Sequence, residues 1–265
     1  MAADVALEVR AATKSFGGLK VIEDVSFAVP RGTRMALIGP NGAGKTTLFN
    51  LISGVYALDS GSVLLEGSAI DALPARARIR RGLSRSFQNI RLMPHLSAVE
   101  NVMLGQHAQG LRVADLLSPV GWLSRSRWVR EAEERLAEAG LVLDPGTVVS
   151  SLPYGIRKKI EVVRALMSHP RVLMLDEPAA GLNPRETAEL CSFLKTVAAS
   201  GVTLLVVEHD MSFVHELCEQ VVVLNFGRKI YDGPIAGVQH DPAVREAYLG
   251  TRSVAQASRE PSHAA

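Results

Sequence analysis

Cysteine is almost missing from this chain. The two present, Cys191 and Cys218, stand far apart and outside any Cys-x-x-Cys spacing. That excludes a disulfide framework and a cysteine zinc site, and makes a reducing compartment the expectation. Long apolar runs are missing too. No uncharged stretch approaches the roughly 18 residues that a spanning helix needs, and TVAASGVTLLVV, ending at Val207, reads as a helix end followed by a buried strand. The N-terminal MAADVALEVRAATKSFG carries Asp4 and Glu8 where a secretory signal would be unbroken and apolar. A chain of this kind is expected not to cross a membrane by itself. Charge of one sign is also lacking: 29 Lys and Arg against 27 Asp and Glu leave +2, too even to indicate a nucleic-acid partner.

What is present is a chain of 265 residues, 47% hydrophobic and 21% charged, with mean hydropathy +0.15. That suffices for one sizeable core with a subsidiary lobe. ALEVRA, DVSFAV and RMALIG read as strands, followed by a helix over 46–53, the strand SVLLEG and an Arg-rich helical stretch over 74–81. From 94 to about 139 the pattern is helical, interrupted by LLSPVGWLSRSR. Beyond Pro170 come the strand RVLML, a helix over 184–199, the strand VTLLVV, a short helix and VVVLNFGRKIYDG. Unbroken Val/Leu runs alternating with helices indicate an α/β fold with a largely parallel sheet covered on both faces. A helical block of about residues 90–169 interrupts that body. There is no internal repeat, and the small polar tail TRSVAQASREPSHAA, 251–265, is expected to be disordered.

GPNGAGKTT comprises Gly39, Pro40, Asn41, Gly42, Ala43, Gly44, Lys45, Thr46 and Thr47. It matches G-x-x-x-x-G-K-[ST] between a strand and a helix, the context that a phosphate-binding loop requires. Its glycines let successive N–H groups and the helix N-terminus face a β-phosphate. Lys45 would reach the β- and γ-phosphates, and the Thr46 hydroxyl would ligate Mg²⁺. No third Gly follows Gly44 at dinucleotide-fold spacing.

The buried run VLMLDEP delivers Asp176 to the magnesium side and Glu177 to the γ-phosphate side, an Asp on the metal beside a carboxylate that handles water. LLVVEHD ends a second strand in Glu208, His209 and Asp210, which puts His209 within plausible reach of a γ-phosphate. Gln88, in SFQNI, sits where the sheet passes into the helical block. There it would ligate Mg²⁺, position water and sense movement of that block.

In order and spacing these elements resemble the ATP-binding-cassette ATPases, over about residues 5–250. The resemblance implies a P-loop NTPase (RecA-like) core with a mainly parallel sheet, an antiparallel β subdomain and an inserted helical subdomain. It makes 1–250 one domain, with its core at 1–89 and 170–250. GPNGAGKT becomes the Walker A loop and VLMLDE the Walker B strand, with Glu177 the catalytic carboxylate, Gln88 the Q-loop residue and His209 the switch histidine. ATP is then the nucleotide, and Mg²⁺ is held by Thr46, Gln88 and Asp176, the last through water. AAGLNP resembles the D-loop, with Asn183 where the family has an acidic residue. Phe16, in TKSFGG, matches the aromatic on which adenine stacks, the plain alternative being a strand-edge Phe.

SLPYGIRKKIEVVRAL lies where the family carries Leu-Ser-Gly-Gly-Gln and a basic helix. Leu152, Pro153, Tyr154 and Gly155 therefore stand as the signature, expected to meet a nucleotide held by a second ATPase in a head-to-tail sandwich. Pro153 has neither hydroxyl nor N–H, Tyr154 replaces a glycine and Ile156 the Gln. Ser151 is a nearby cap for the helix, and Arg157, Lys158 and Lys159 are expected to compensate part of the lost phosphate contact. This imbalance favours a paralogous partner in a heterodimer over a homodimer.

LPYG, LDEPAAGLNP, EHDM, an extended stretch over 105–128 and the ending DPAVREAYLG resemble the larger ATPase of branched-chain amino acid uptake systems. Related systems for urea, amides or lipopolysaccharide export share several of these features. The resemblance implies membrane permease subunits, a substrate-binding protein outside the membrane, and a peripheral place on the cytoplasmic face of the plasma membrane. The insert with Trp122, Trp128, Arg125, Arg127 and Arg130 reads either as a partly buried loop with a solvated basic face or as a contact with permease or headgroups. Arg76, Arg78, Arg80, Arg81 and Arg85 read as a solvated helix face. Against a nucleic-acid or ribosomal ATPase stand the even charge and the lack of a long coiled coil. Against a GTPase stands the absence of Asn-Lys-x-Asp.

Overall fold

A computed structural model describes residues 4–86, 90–109, 119–144 and 146–248, with only the backbone of 107–109 and 119–126. Gln88, the side chains of Trp122 and Arg125, and the tail 251–265 lie outside the described residues.

The chain opens with the antiparallel pair β1 (Val5–Phe16) and β2 (Leu19–Pro30), then β3 (Arg34–Ile38) and α1 (Lys45–Ser53). β4 (Ser60–Leu65), β5 (Ser68–Ala69), α2 (Ala75–Arg80) and β6 (Leu83–Arg85) follow. α3 (Ala98–Met103), α4 (Pro119–Glu138) and α5 (Tyr154–Leu166) form the helical region. β7 (Val172–Asp176), α6 (Pro184–Ala199), β8 (Thr203–Val207), α7 (Met211–Leu217), β9 (Gln220–Asn225) and β10 (Arg228–Pro234) complete the body, with residues 242–248 helical at its end.

Two sheets result, one antiparallel in the order β2-β1-β4-β5 and one in the order β10-β9-β3-β8-β7-β6. In the second, β9, β3, β8, β7 and β6 run parallel and β10 is antiparallel at the edge. The unbroken apolar runs follow from its two covered faces, because successive side chains leave a strand on opposite sides. Ala36, Ile38, Leu173 and Leu175 join the core under α5 and α6. Met35, Leu37, Val172 and Met174 join the core shared with α1 and the antiparallel sheet. α1 is thus sandwiched between the sheets through Leu48, Phe49, Leu51 and Ile52.

The structure corrects three local expectations. Of the interruption expected at LLSPVGWLSRSR, residues 119–127 lie within α4, which runs unbroken from Pro119, and 116–118 lie outside the described residues; a proline is tolerated in a helix's first turn, where its missing N–H has no partner to lose. Arg78 is no solvated residue: it is 2% exposed, and its Nη1 donates to the Leu51 and Ile52 carbonyls at 2.8 and 2.7 Å. Carbonyls in the last turn of a helix have no intrahelical partner, so this guanidinium closes the C-terminal end of α1. Its Nε and Nη2 donate to the Leu73 and Asp71 carbonyls. Arg85 leaves the solvated set as well, since it lies on β6 rather than on the helix. Among the described residues no helix is long and apolar enough to cross a membrane.

Both cysteines are free and buried, and burial pushes their thiols up to about 11 for Cys191 and about 12 for Cys218. The folded chain therefore keeps two protons that the unfolded chain releases near pH 9. This contribution to stability is complete below pH 9 and is lost as pH rises through 11 to 12. With both unfolded thiols ionised the slope is about 2.7 kcal/mol per pH unit. Urea unfolding should steepen above pH 9 towards this slope by about pH 10.5, and the C191A/C218A double variant should flatten it; an equal slope in both would refute the assignment.

Candidate functional site

The loop between β3 and α1 is held from both sides. The Gly39 N–H segment follows β3 with φ +153°, and a Cβ there would run into the Leu224 carbonyl of β9. Gly44, the N-cap of α1, has φ +98°, and a Cβ would lie 2.7 Å from Ile22 Cδ1 and 2.9 Å from the Val21 carbonyl. Only glycine fits both the left-handed backbone and these approaches. The Gly227 amide donates to the Ala43 carbonyl at 3.0 Å, and Tyr248 hydrogen-bonds the Gly39 backbone. Pro40 and Ala43 are buried, whereas Asn41, Gly42 and Thr46 face solvent and Thr47 is half-buried. The first amides of α1 point out of this cradle without intrahelical partners, a ready anion site. Lys45 Nζ folds over the loop, donating to the Gly39 and Pro40 carbonyls at 2.7 and 3.0 Å. Burial lowers its pKa, with the Glu177 carboxylate acting in the opposite direction.

β7 ends beside β8, which places Asp176 and Glu177 next to Glu208 and His209. Glu177 has a left-handed backbone, φ +47°, and its amide donates to the Val207 carbonyl at 2.9 Å. Such a conformation costs a non-glycine residue about 1–3 kcal/mol unless its surroundings hold it. Three partners hold it here. Besides Val207, Lys158 Nζ reaches the Glu177 carbonyl at 3.4 Å, and Glu208 accepts from the Ala179 amide at 2.8 Å. Glu208 also accepts from the His209 amide at 3.1 Å, and burial raises its carboxyl pKa. His209 Nδ1 lies 4.0 Å from a Glu177 carboxylate oxygen, its side chain largely exposed. Lys45, Glu177 and His209 thus converge on one face.

Asp176 is met by Arg85. Arg85 Nη2 donates to Asp176 Oδ2 at 2.6 Å, while Nη1 donates to Asn50 Oδ1 at 2.6 Å and to Ser53 Oγ at 3.0 Å. Gln88 lies three residues beyond Arg85, outside the described residues. Phe16 is 42% exposed at the end of β1, edge-on to Tyr56 with ring centroids 5.3 Å apart. Its cross-strand partner is Leu19, two residues before the Val21 carbonyl that crowds Gly44.

The residues 152–155 meet the loop after Glu177. Pro153 is the N-cap of α5 and offers no side-chain cap; the Ser151 hydroxyl instead donates to the Val148 carbonyl, so the expected Ser151 cap is absent. The Tyr154 ring covers Gly181, whose Cβ would come 3.1 Å from Tyr154 Cε1. Gly155 is pressed on the Glu186 carboxylate, which closes the capping box of Asn183 at the start of α6. Asn183 does the work of a helix cap. Leu152 packs on the core. Lys158 and Lys159 turn inward, Lys159 Nζ to Glu189 at 2.8 Å, and Lys158 at 3% exposure faces the Glu177 loop. That overturns their expected outward role, and the cause is the amphipathic helix itself, whose inward stripe includes both positions. Arg157 lies over the Tyr154 ring at 5.8 Å.

Arg85, Glu208 and Lys158 were each noted in the sequence, but not for the roles that the structure gives them: the Asp176 partner, the acceptor of the Ala179 amide and an inward cation at the Glu177 loop. For Arg85 a signal existed: it lies on the strand stretch entering SFQNI, and an Arg inside a covered parallel sheet needs an acidic partner.

The Thr46 hydroxyl and the Asp176 carboxylate are oxygen donors of the hard kind that Mg²⁺ prefers, so the residues present fit that ion.

The family profile described as ABC transporter matches residues 22–180. The chain is 38% identical over 248 residues to the high-affinity branched-chain amino acid transport ATP-binding protein BraF of Pseudomonas aeruginosa, covering 92% of this chain and 97% of that protein. It is 36% identical over 248 residues to the corresponding protein LivG of Escherichia coli, with the same coverage of 92% and 97%. The solved ADP conformation of MJ1267, an ATP-binding cassette of an ABC transporter, has a TM-score of 0.81 at 30% identity, covering 93% of this chain and 99% of that one. With the phosphate cradle and its opposing carboxylates in place, these matches identify the chain as a member of the ABC transporter family, an ATP-binding-cassette ATPase.

Proposed function

We propose that the chain drives import of branched-chain amino acids, hydrolysing ATP on the cytoplasmic face of a membrane permease with a paralogous ATPase as partner. The observation that carries this reading is the similarity to BraF and LivG across 97% of each protein.

In the proposed mechanism Lys45 exchanges the Gly39 and Pro40 carbonyls for β- and γ-phosphate oxygens, and the α1 amides take the β-phosphate. Phe16 supports the adenine. Glu177 accepts the proton of the water whose oxygen bonds to the γ-phosphorus, as the bond from that phosphorus to the ADP oxygen breaks. His209, 4.0 Å from Glu177, holds a γ-phosphate oxygen on the same face. Thr46, Gln88 and Asp176 would hold Mg²⁺, which would offset the negative charge that develops on the transferred phosphoryl group. Leu152, Pro153, Tyr154 and Gly155 face the nucleotide of the partner ATPase. Tyr154 packs on Gly181 and Lys158 Nζ reaches the Glu177 carbonyl, so the signature helix is in direct contact with the segment that carries the chain's own proposed hydrolytic carboxylate.

The test is purification of the native complex from membranes and its reconstitution into vesicles with its substrate-binding protein. Leucine, isoleucine or valine should raise ATP turnover and accumulate with ATP. Turnover indifferent to all three but raised by urea or an amide would overturn the substrate; a chain that purifies without membrane protein would overturn the permease partner.

A further inference from the structure

Arg85 draws together three elements of the site. It sits on edge strand β6, paired with Met174 of β7, and the next amide, that of Ser86, donates to the Met174 carbonyl at 2.9 Å. One arm of its guanidinium holds Asp176 Oδ2; the other holds Asn50 and Ser53 on α1, the helix that begins with Lys45 and Thr46. Its cationic plane lies 5.1 Å from the Phe49 ring. Both members of the ion pair are nearly enclosed, at 11% and 6% side-chain exposure.

A planar guanidinium that donates once to a carboxylate and twice to oxygens on another element fixes direction as well as charge. Here it ties one carboxylate oxygen of Asp176, Oδ2. We infer that Arg85 is a positioning residue for the magnesium site: it orients the Asp176 carboxylate relative to Thr46 by joining both to α1. The inference rests on the proposal that Asp176 lies on the metal side. Carboxylates that ligate metals, directly or through water, depend on such outer partners, whose loss typically lowers metal affinity or activity by about 10–100-fold.

The test is equilibrium binding of a fluorescent ATP analogue to the full chain, titrated with MgCl₂ or measured in EDTA. In R85Q the Mg²⁺ concentration for half-maximal tightening should rise by about 10-fold or more, with binding in EDTA unchanged. R85K keeps the charge but not the two-sided reach, and should fall between R85Q and wild type. N50A, which leaves the ion pair and the Ser53 contact but cuts the shorter of the two ties to α1, should show a smaller rise of the same kind. If R85Q does not fold, judged by its loss of a cooperative thermal transition, R85K and N50A decide the matter. An unchanged Mg²⁺ midpoint in folded R85Q, or in both R85K and N50A, overturns the inference. D176N separates the two claims: a shifted midpoint in D176N with none in R85Q sinks only the role of Arg85, whereas no shift in D176N sinks the metal-side reading itself.

Discussion

Replacing Glu177 by Gln should lower ATP turnover by about 10²–10⁴-fold while nucleotide binding persists. The substitution keeps volume and backbone, and so leaves the Val207, Lys158 and Ala179 contacts that hold the left-handed peptide at 177. What it removes is the carboxylate beside His209, the group proposed to take the proton from water. Single-turnover measurement of phosphate release, with binding of the ATP analogue read in parallel, separates the two effects. Equal turnover in E177Q and wild type would remove Glu177 from its role. Loss of binding in E177Q would show that the residue acts through the phosphate cradle instead.

Partner dependence has the second large effect. Pro153 supplies neither hydroxyl nor N–H, so a nucleotide facing this signature loses two donors, each worth about 1.5–3 kcal/mol when the acceptor is charged. The chain alone should therefore hydrolyse ATP slowly, and a paralogue carrying Ser at the corresponding position should raise its turnover by about 10-fold or more. P153S should move the isolated chain in the same direction. The site favours this variant over one at Tyr154, because the Tyr154 ring covers Gly181 and a glycine there would uncover the loop after Glu177. Ser also suits the N-cap of α5, so the thermal transition should rise slightly, and turnover must be compared on folded protein. Vigorous turnover by the isolated chain, unaffected by P153S, would refute the asymmetric pair.

The outline of the site is legible in the chain because its motifs obey local rules. Gly39 and Gly44 are required by the backbone of one loop, and Asp176 and His209 follow buried runs whose length and composition mark strands. Asn183 and Pro184 announce a helix start that needs no tertiary information. Arg78 and Arg85 are another matter. Both fall in one Arg-rich stretch and look alike in sequence, yet one caps the end of α1 and the other grips Asp176. Lys158 and Lys159 misled in the opposite sense, since a basic run reads as outward until the helix is docked.

The chain's own residues determined the alternation of strands and helices, the phosphate loop and the order of its opposing carboxylates, because those depend on steric limits and periodicity within a few neighbours. Only the tertiary structure decided which cation meets which anion. A guanidinium finds its partner across 91 positions, from Arg85 to Asp176, and desolvation makes that choice: once a charge is enclosed, its nearest opposite charge in space replaces the water it has lost.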